Sequence, residues 1–134
     1  MAQPNRLTAA DIMTTKVVSL GSHEDLTRVA GEMKRHQIGS VVIMENKKLV
    51  GILTEKDLAG VVERVGTFLE RSQAKDHMTS PVLTVQSDTS LTEVTKLMAE
   101  KHVRHIIVLN NKREVAGIIS SRDIVKVTKE GVTI

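Results

Sequence analysis

Cysteine, tryptophan and tyrosine are absent from this 134-residue chain, phenylalanine occurs once and proline twice. Without cysteine there is no disulfide framework, no thiolate metal site and no thiol nucleophile. With one aromatic side chain, the bases of a single-stranded nucleic acid have almost nothing to stack on. An excess of one charge is missing too. The net charge is +3, with ten cations against nine carboxylates in residues 1–72 and nine against seven in 73–134, and no Lys/Arg run exceeds two residues. Nucleic-acid binders concentrate cations on one face, so this pattern argues against that class. A small anionic ligand needs only a few local cations. No apolar run approaches the roughly 20 residues of a bilayer span, and residues 1–10 lack the apolar centre of a secretory signal. The expectation is a soluble, cytoplasmic protein without membrane contact.

What the chain does contain is a repeat. Asp11-Ile12-Met13-Thr14-Thr15-Lys16-Val17-Val18 aligns with Asp76-His77-Met78-Thr79-Ser80-Pro81-Val82-Leu83 at a shift of 65 residues. The same shift carries Leu26, Val29 and Met33 onto Leu91, Val94 and Met98, and Val41-Val42-Ile43 onto Ile106-Ile107-Val108. At Gly51-Ile52-Leu53-Thr54-Glu55-Lys56-Asp57 and Gly117-Ile118-Ile119-Ser120-Ser121-Arg122-Asp123 the shift becomes 66, so one extra residue lies between Lys112 and Gly117. A hairpin turn is the place to absorb it.

Each copy reads alike. A short helical turn (Thr8 to Met13, Ala74 to Met78) leads into a brief strand, Val17 to Leu20 or Val82 to Val85. Leu26, Val29, Ala30 and Met33 then recur at the spacing of one helix face, as do Leu91, Val94, Leu97 and Met98. Asp25 and Ser90 are their expected N-caps. Two β-branched runs follow, Ser40 to Met44 with Leu49 to Leu53 and His105 to Leu109 with Val115 to Ile119. They are joined by turns at Glu45 to Lys48 and Asn110 to Arg113. A last helix begins at Thr54 or Ser120, with Leu58, Val61, Val62 and Val65, or Ile124, Val125 and Val127, facing in. The expected fold is therefore α/β (α+β), two β-α-β-β-α repeats packed sheet to sheet about a pseudo-two-fold axis. The expected division is an arm at 1–8, a first repeat at 9–65, a linker at 66–73 with Phe68 as a core plug, a second repeat at 74–128 and a tail at 129–134. One repeat of about 60 residues is marginal alone, and pairing supplies the missing burial.

The doubled Asp-x-Met-Thr opening and the doubled Gly-aliphatic-aliphatic-Thr/Ser-x-x-Asp close resemble CBS domains, whose tandem pair is a Bateman module. The resemblance runs from about Ala9 to about Thr128, and it is specific because both signatures occur twice in register. It implies a stand-alone regulatory pair rather than an enzyme, with clefts between the repeats that take AMP, ADP, ATP or S-adenosylmethionine relatives. It further implies a homodimer and an effector protein acting in trans. No cofactor is required and no metal is expected.

Within that resemblance, Thr54 with Asp57 and Ser120 with Asp123 are the ribose ligands, the carboxylate accepting from both hydroxyls. The same residues have a complete structural explanation, since a hydroxyl N-cap with an acidic residue three positions on is a capping box. His102, Arg104 and His105, at a helix-to-strand corner, and Arg122 and Lys56, at helix starts, are the phosphate candidates; their bland reading is ordinary solvated helix ends. Lys16, Val17, Val18, Gly39, Ser40, Ser80, Pro81 and Val82 are the implied base pocket, with adenine between aliphatic walls. Gly39 stands where the second copy has Arg104, which weakens any claim that both clefts hold phosphate equally. The competing functions are a dimerisation module with empty clefts, both acidic pairs acting only as caps, and a nucleic-acid binder, the class the composition disfavours.

Overall fold

A computed structural model describes residues 6–66 and 69–129 of the chain. The elements follow the order α1 (Ala9–Ile12), β1 (Ser19–Gly21), α2 (Leu26–His36), β2 (Ser40–Glu45), β3 (Lys48–Thr54) and α3 (Glu55–Val65), then a 3-10 turn at Leu69–Arg71. The second half gives α4 (Ala74–His77), β4 (Thr84–Gln86), α5 (Leu91–Lys101), β5 (His105–Leu109), β6 (Val115–Ser120) and α6 (Ser121–Lys129). The mixed α and β architecture with two repeated β-α-β-β-α patterns is as expected. Phe68, the expected plug, the Val65 side chain and most of both terminal tails lie outside the described residues.

Two compact units emerge, one of residues 17–82 and one of residues 1–16 with 83–134. The first copy's opening turn therefore folds with the second copy's sheet. In the 17–82 unit, β1 runs parallel to β2 and β2 antiparallel to β3. In the other unit β4, β5 and β6 repeat that order. β1 and β4 each begin two residues later than expected. A parallel ladder starts only where a partner is available, at Ser19 opposite Val42 and Thr84 opposite Ile107; the residues before belong to the stretches where the chain passes from one unit to the other.

The apolar faces of the helices close on the sheets. Leu26, Val29 and Met33 of α2 pack with Val41, Ile43, Leu53, Val61 and Ala74. Leu91, Val94 and Met98 of α5 pack with Ala9, Val85, Ile106, Val108 and Ile119. Asp25 caps α2 by accepting from Arg28 N–H at 2.8 Å, and Ser90 caps α5 by accepting from Glu93 N–H at 3.2 Å. Val62 and Val125 depart from expectation: they are 46% and 63% exposed. The inward stripe of each last helix is narrow, running through Leu58 and Val61 or Ile124 and Val127.

The first hairpin turns in two residues, Asn46 and Lys47, with φ of 51° and 65°. Both angles are left-handed, the type I′ geometry that matches strand twist and prefers Asn-Gly. Asn46 suits it and Lys47 does not. Lys47→Gly is expected to stabilise the protein by about 0.5 to 1 kcal/mol, read as a higher denaturant midpoint at unchanged slope. The second hairpin absorbs its extra residue as expected, in a wider turn where the Asn110 side chain accepts from Lys112 N–H at 2.9 Å and Glu114 N–H at 3.0 Å. Arg113 adopts φ 63°.

Glu32 interrupts the apolar face of α2 where α5 has Leu97, and it is only 7% exposed. Its carboxylate accepts from Arg35 at 2.7 Å and Arg28 at 3.4 Å and lies 3.1 Å from His36 Nε2. The Arg35 hydrogen bond and charge, with help from Arg28 and His36, outweigh desolvation and hold this carboxyl below its ordinary 4.5. A carboxyl depressed in the folded state stabilises the fold above its unfolded value and loses that contribution as pH falls through the folded one. Stability is thus expected to drop as the pH is lowered below about 4.5, and Glu32→Gln to flatten that limb in urea melts. An unchanged limb would remove Glu32 from the acid response.

Candidate ligand sites

Each Thr/Ser-x-x-Asp stretch sits where the last strand of its unit becomes a helix. Thr54 ends β3 and caps α3: its hydroxyl accepts from Asp57 N–H at 3.2 Å, while Asp57 Oδ2 accepts from Thr54 N–H at 2.9 Å and Thr54 Oγ1 at 3.0 Å. Ser120 and Asp123 repeat this at 3.2, 2.8 and 3.0 Å. The capping reading is therefore satisfied at both places. Both bonds that each carboxylate accepts within its box fall on Oδ2, which leaves Oδ1 outside it. A third pair, Thr8 and Asp11, makes the same carboxylate contacts at the start of α1, with 2.7 and 3.1 Å from Thr8 N–H and Oγ1 to Asp11 Oδ2, while Asp11 N–H donates to the Thr8 carbonyl at 3.0 Å. Box geometry alone therefore does not single out a binding site.

The pairing that distinguishes the two repeated boxes was not legible in the sequence. Thr14 bridges Ile118, with N–H···O distances of 2.9 and 3.0 Å, so the first copy's opening segment lies beside the strand that leads to Ser120. Thr79 bridges Ile52 at 2.9 and 3.1 Å, beside the strand that leads to Thr54. Each unit thus joins the Gly-aliphatic-aliphatic-Thr/Ser-x-x-Asp stretch of one copy to the Asp-x-Met-Thr stretch of the other. The glycines explain the fit. A Cβ on Gly117 would meet Met13 Sδ at 2.6 Å and the Thr14 carbonyl at 2.8 Å, and one on Gly51 would meet Met78 Cγ at 2.7 Å. The methionine of one signature lies over the glycine of the other.

The remaining candidates divide between the units. With Ser120 and Asp123 stand Lys16, His102, Arg104, His105 and Arg122. The Arg104 carbonyl accepts from Ser121 N–H at 2.9 Å, which ties the arginine's backbone to the first turn of α6. His102 closes α5 in the left-handed region, φ 55°, as Gln37 closes α2 at 54°. Arg104, Arg122 and Lys16 are exposed and His105 is half-buried. With Thr54 and Asp57 stand Val17, Val18, Gly39, Ser40, Lys56, Ser80, Pro81 and Val82. The Gly39 carbonyl accepts from Glu55 N–H at 3.1 Å, so Gly39 occupies Arg104's structural place as well as its sequence place. Lys16 and Val17-Val18, read together from sequence, fall on opposite sides of the division. Among the described residues no group of three or more His, Asp or Glu gathers as metal ligands, and no helix is long and apolar enough to cross a membrane.

Comparison with known proteins places this geometry. Protein MK0525 of Methanopyrus kandleri is 32% identical over 122 residues, which are 90% of this chain and 62% of that protein. The chain thus spans under two-thirds of that relative's length. The CBS domain pair of protein MJ0100, solved in complex with 5′-methylthioadenosine and S-adenosyl-L-methionine, superposes with a TM-score of 0.85 at 24% identity, covering 94% of this chain and 98% of that one. The hexameric CBS-CP12 protein from bloom-forming cyanobacteria superposes at 0.83 with 25% identity, covering 91% and 68%. The CBS domain family matches residues 9–64 and again residues 74–130. With both copies matched and their signatures interlocked strand to strand, the chain belongs to the CBS-domain family and carries a tandem pair of its domains.

Proposed function

We propose that the chain is a regulatory module that binds adenosine-containing ligands at its two Thr/Ser-x-x-Asp turns. The observation that carries this is the interlocking within each unit of that turn with the Asp-x-Met-Thr segment of the other copy, at Ile118 with Thr14 and at Ile52 with Thr79. A ligand seated there touches both copies at once and rewards one arrangement of them over others, which is how a ligand shifts an equilibrium. The ribose hydroxyls donate to Asp123 or Asp57 at Oδ1, beside Ser120 or Thr54. Arg104, with His102, His105 and Arg122, holds phosphate in one unit, and Lys56 is the cation of the other. The backbone at Lys16 lines the base in the first of these units, and that at Val17, Val18, Gly39, Ser40 and Ser80 to Val82 lines it in the other. The adenosyl ligands of the MJ0100 pair, which shares this fold, support the choice of ligand class. No catalytic step is assigned; a homodimer in the cytoplasm, read by a separate effector protein, completes the reading. Assembly is supported by the hexameric relative only as to oligomer formation, not number.

Thermal melts with AMP, ADP, ATP and S-adenosylmethionine test this. Ligand at 100 times its dissociation constant is expected to add about 2.7 kcal/mol. Melts unmoved by all four at millimolar concentration would leave the dimerisation reading, in which the boxes only cap.

A further inference from the structure

Resting on that reading, we infer that the two sites divide their ligands by charge: the Ser120–Asp123 site takes a phosphorylated adenosine, and the Thr54–Asp57 site takes an adenosyl compound without phosphate. The two turns match in hydrogen bonding, so their differences lie in what surrounds them. Around Ser120 the chain places Arg104, flanked by Val103 and His105 with His102 one residue further back, and then Ser121, Arg122 and Asp123. Around Thr54 it places Gly39, flanked by Ile38 and Ser40, and then Glu55, Lys56 and Asp57. Within these stretches one turn has two permanent cations against one carboxylate and the other has one against two, Lys34 standing outside the count on α2. Glu55 lines a groove with Lys34, Gln37 and Leu58, and its charge still lies within a Debye length of the turn.

Ser40 is the independent observation. It pairs directly with Thr54 across the antiparallel ladder, so the two side chains share one face of the sheet. The residue is 8% exposed, and among the described residues its hydroxyl has no hydrogen-bond partner. No fully sealed side-chain oxygen or nitrogen among those residues lacks a partner, so this oxygen is reached from outside. A nearly buried, unpartnered hydroxyl beside the ribose carboxylate is a ready partner for a sugar or base atom. With no arginine at position 39, the phosphate of a nucleotide would lose its water here without gaining a bidentate partner. An unphosphorylated nucleoside has no such charge to desolvate.

Isothermal titration of the full chain with AMP and with adenosine tests the division. One tight AMP site per chain is expected, and Arg104→Gly should weaken it about 10- to 100-fold, the value of one charge-assisted pair, while leaving the tight adenosine site in place. Gly39→Arg should raise the AMP stoichiometry to two per chain. Should that variant melt too low to use, Glu55→Ser at the exposed helix start should strengthen AMP binding at the second site. Two equal AMP sites in the unaltered chain, or equal weakening of both ligands by Arg104→Gly, would overturn the division and leave the proposed function standing. If neither AMP nor adenosine binds, both fall together.

Discussion

Gly117→Ala is expected to destabilise the protein by about 1 to 3 kcal/mol, the usual cost of forcing a methyl into a packed interior. The added Cβ would stand 2.8 Å from the Thr14 carbonyl, a backbone atom that moves only if the Thr14–Ile118 bridge opens. Gly51→Ala meets the flexible Met78 side chain as its three nearest atoms, so its cost should be smaller, and a second change, Met78→Ala, should recover much of it. Met13→Ala should recover less of the Gly117→Ala loss, because the carbonyl remains. Gly31→Ala is the control of opposite sign. It lies inside α2 with nothing within 4 Å of where the new methyl would stand, so helix propensity alone should give a gain of about 0.5 to 1 kcal/mol. Urea melts of these variants measure the whole series. Equal effects at Gly31 and Gly117 would contradict the interlocking of the two signatures.

The second large effect is on binding. Asp123→Ala removes the acceptor of Ser120 N–H and Oγ and the free Oδ1 together, so it is expected to cost about 0.5 to 2 kcal/mol as a cap and about 10- to 100-fold in AMP affinity as a charge-assisted ligand. Asp11→Ala separates the two roles. Its carboxylate accepts from Thr8 N–H and Oγ1 as that of Asp123 does from Ser120, and Asp11 is not a proposed ligand, so stability should fall with no change in AMP affinity. Asp57→Ala should reduce the AMP-induced rise in melting temperature less than Asp123→Ala does, because only the latter shares its unit with Arg104. If Asp123→Ala costs stability and leaves affinity intact, the carboxylate is a cap and nothing more.

Much of this was legible in the sequence because it is local. The 65-residue shift exposes the repeat, the spacing of Leu26, Val29 and Met33 marks α2, and Asp25 and Ser90 stand as caps where their side chains do accept the expected N–H groups. The extra residue of the second copy lies in the wider turn at Asn110 to Arg113, where its placement between Lys112 and Gly117 pointed. What was not legible is long-range. Nothing in the period of Asp11 to Lys16 reveals that this segment pairs with Ile118, far along the chain, although the doubled glycine and doubled methionine were the trace of that contact. Glu32 shows the other limit. Its position on an apolar stripe is visible, but its tolerance there depends on Arg28, Arg35 and His36 converging from the same helix, and the stripe alone favours Ala30. The outward turn of Val62 and Val125 likewise reflects how narrow a line each last helix presents to its sheet, a property of packing rather than of composition.

The most direct measurement of the central claim is a crystal structure of the full chain grown with AMP. The nucleotide is expected in the unit of residues 1–16 and 83–134, its ribose hydroxyls on the Asp123 carboxylate beside Ser120, its phosphate on Arg104, and its base against the segment that follows Thr14. Nucleotide bound away from both Thr/Ser-x-x-Asp turns, with Asp57 and Asp123 engaged only in their capping boxes, would contradict that claim.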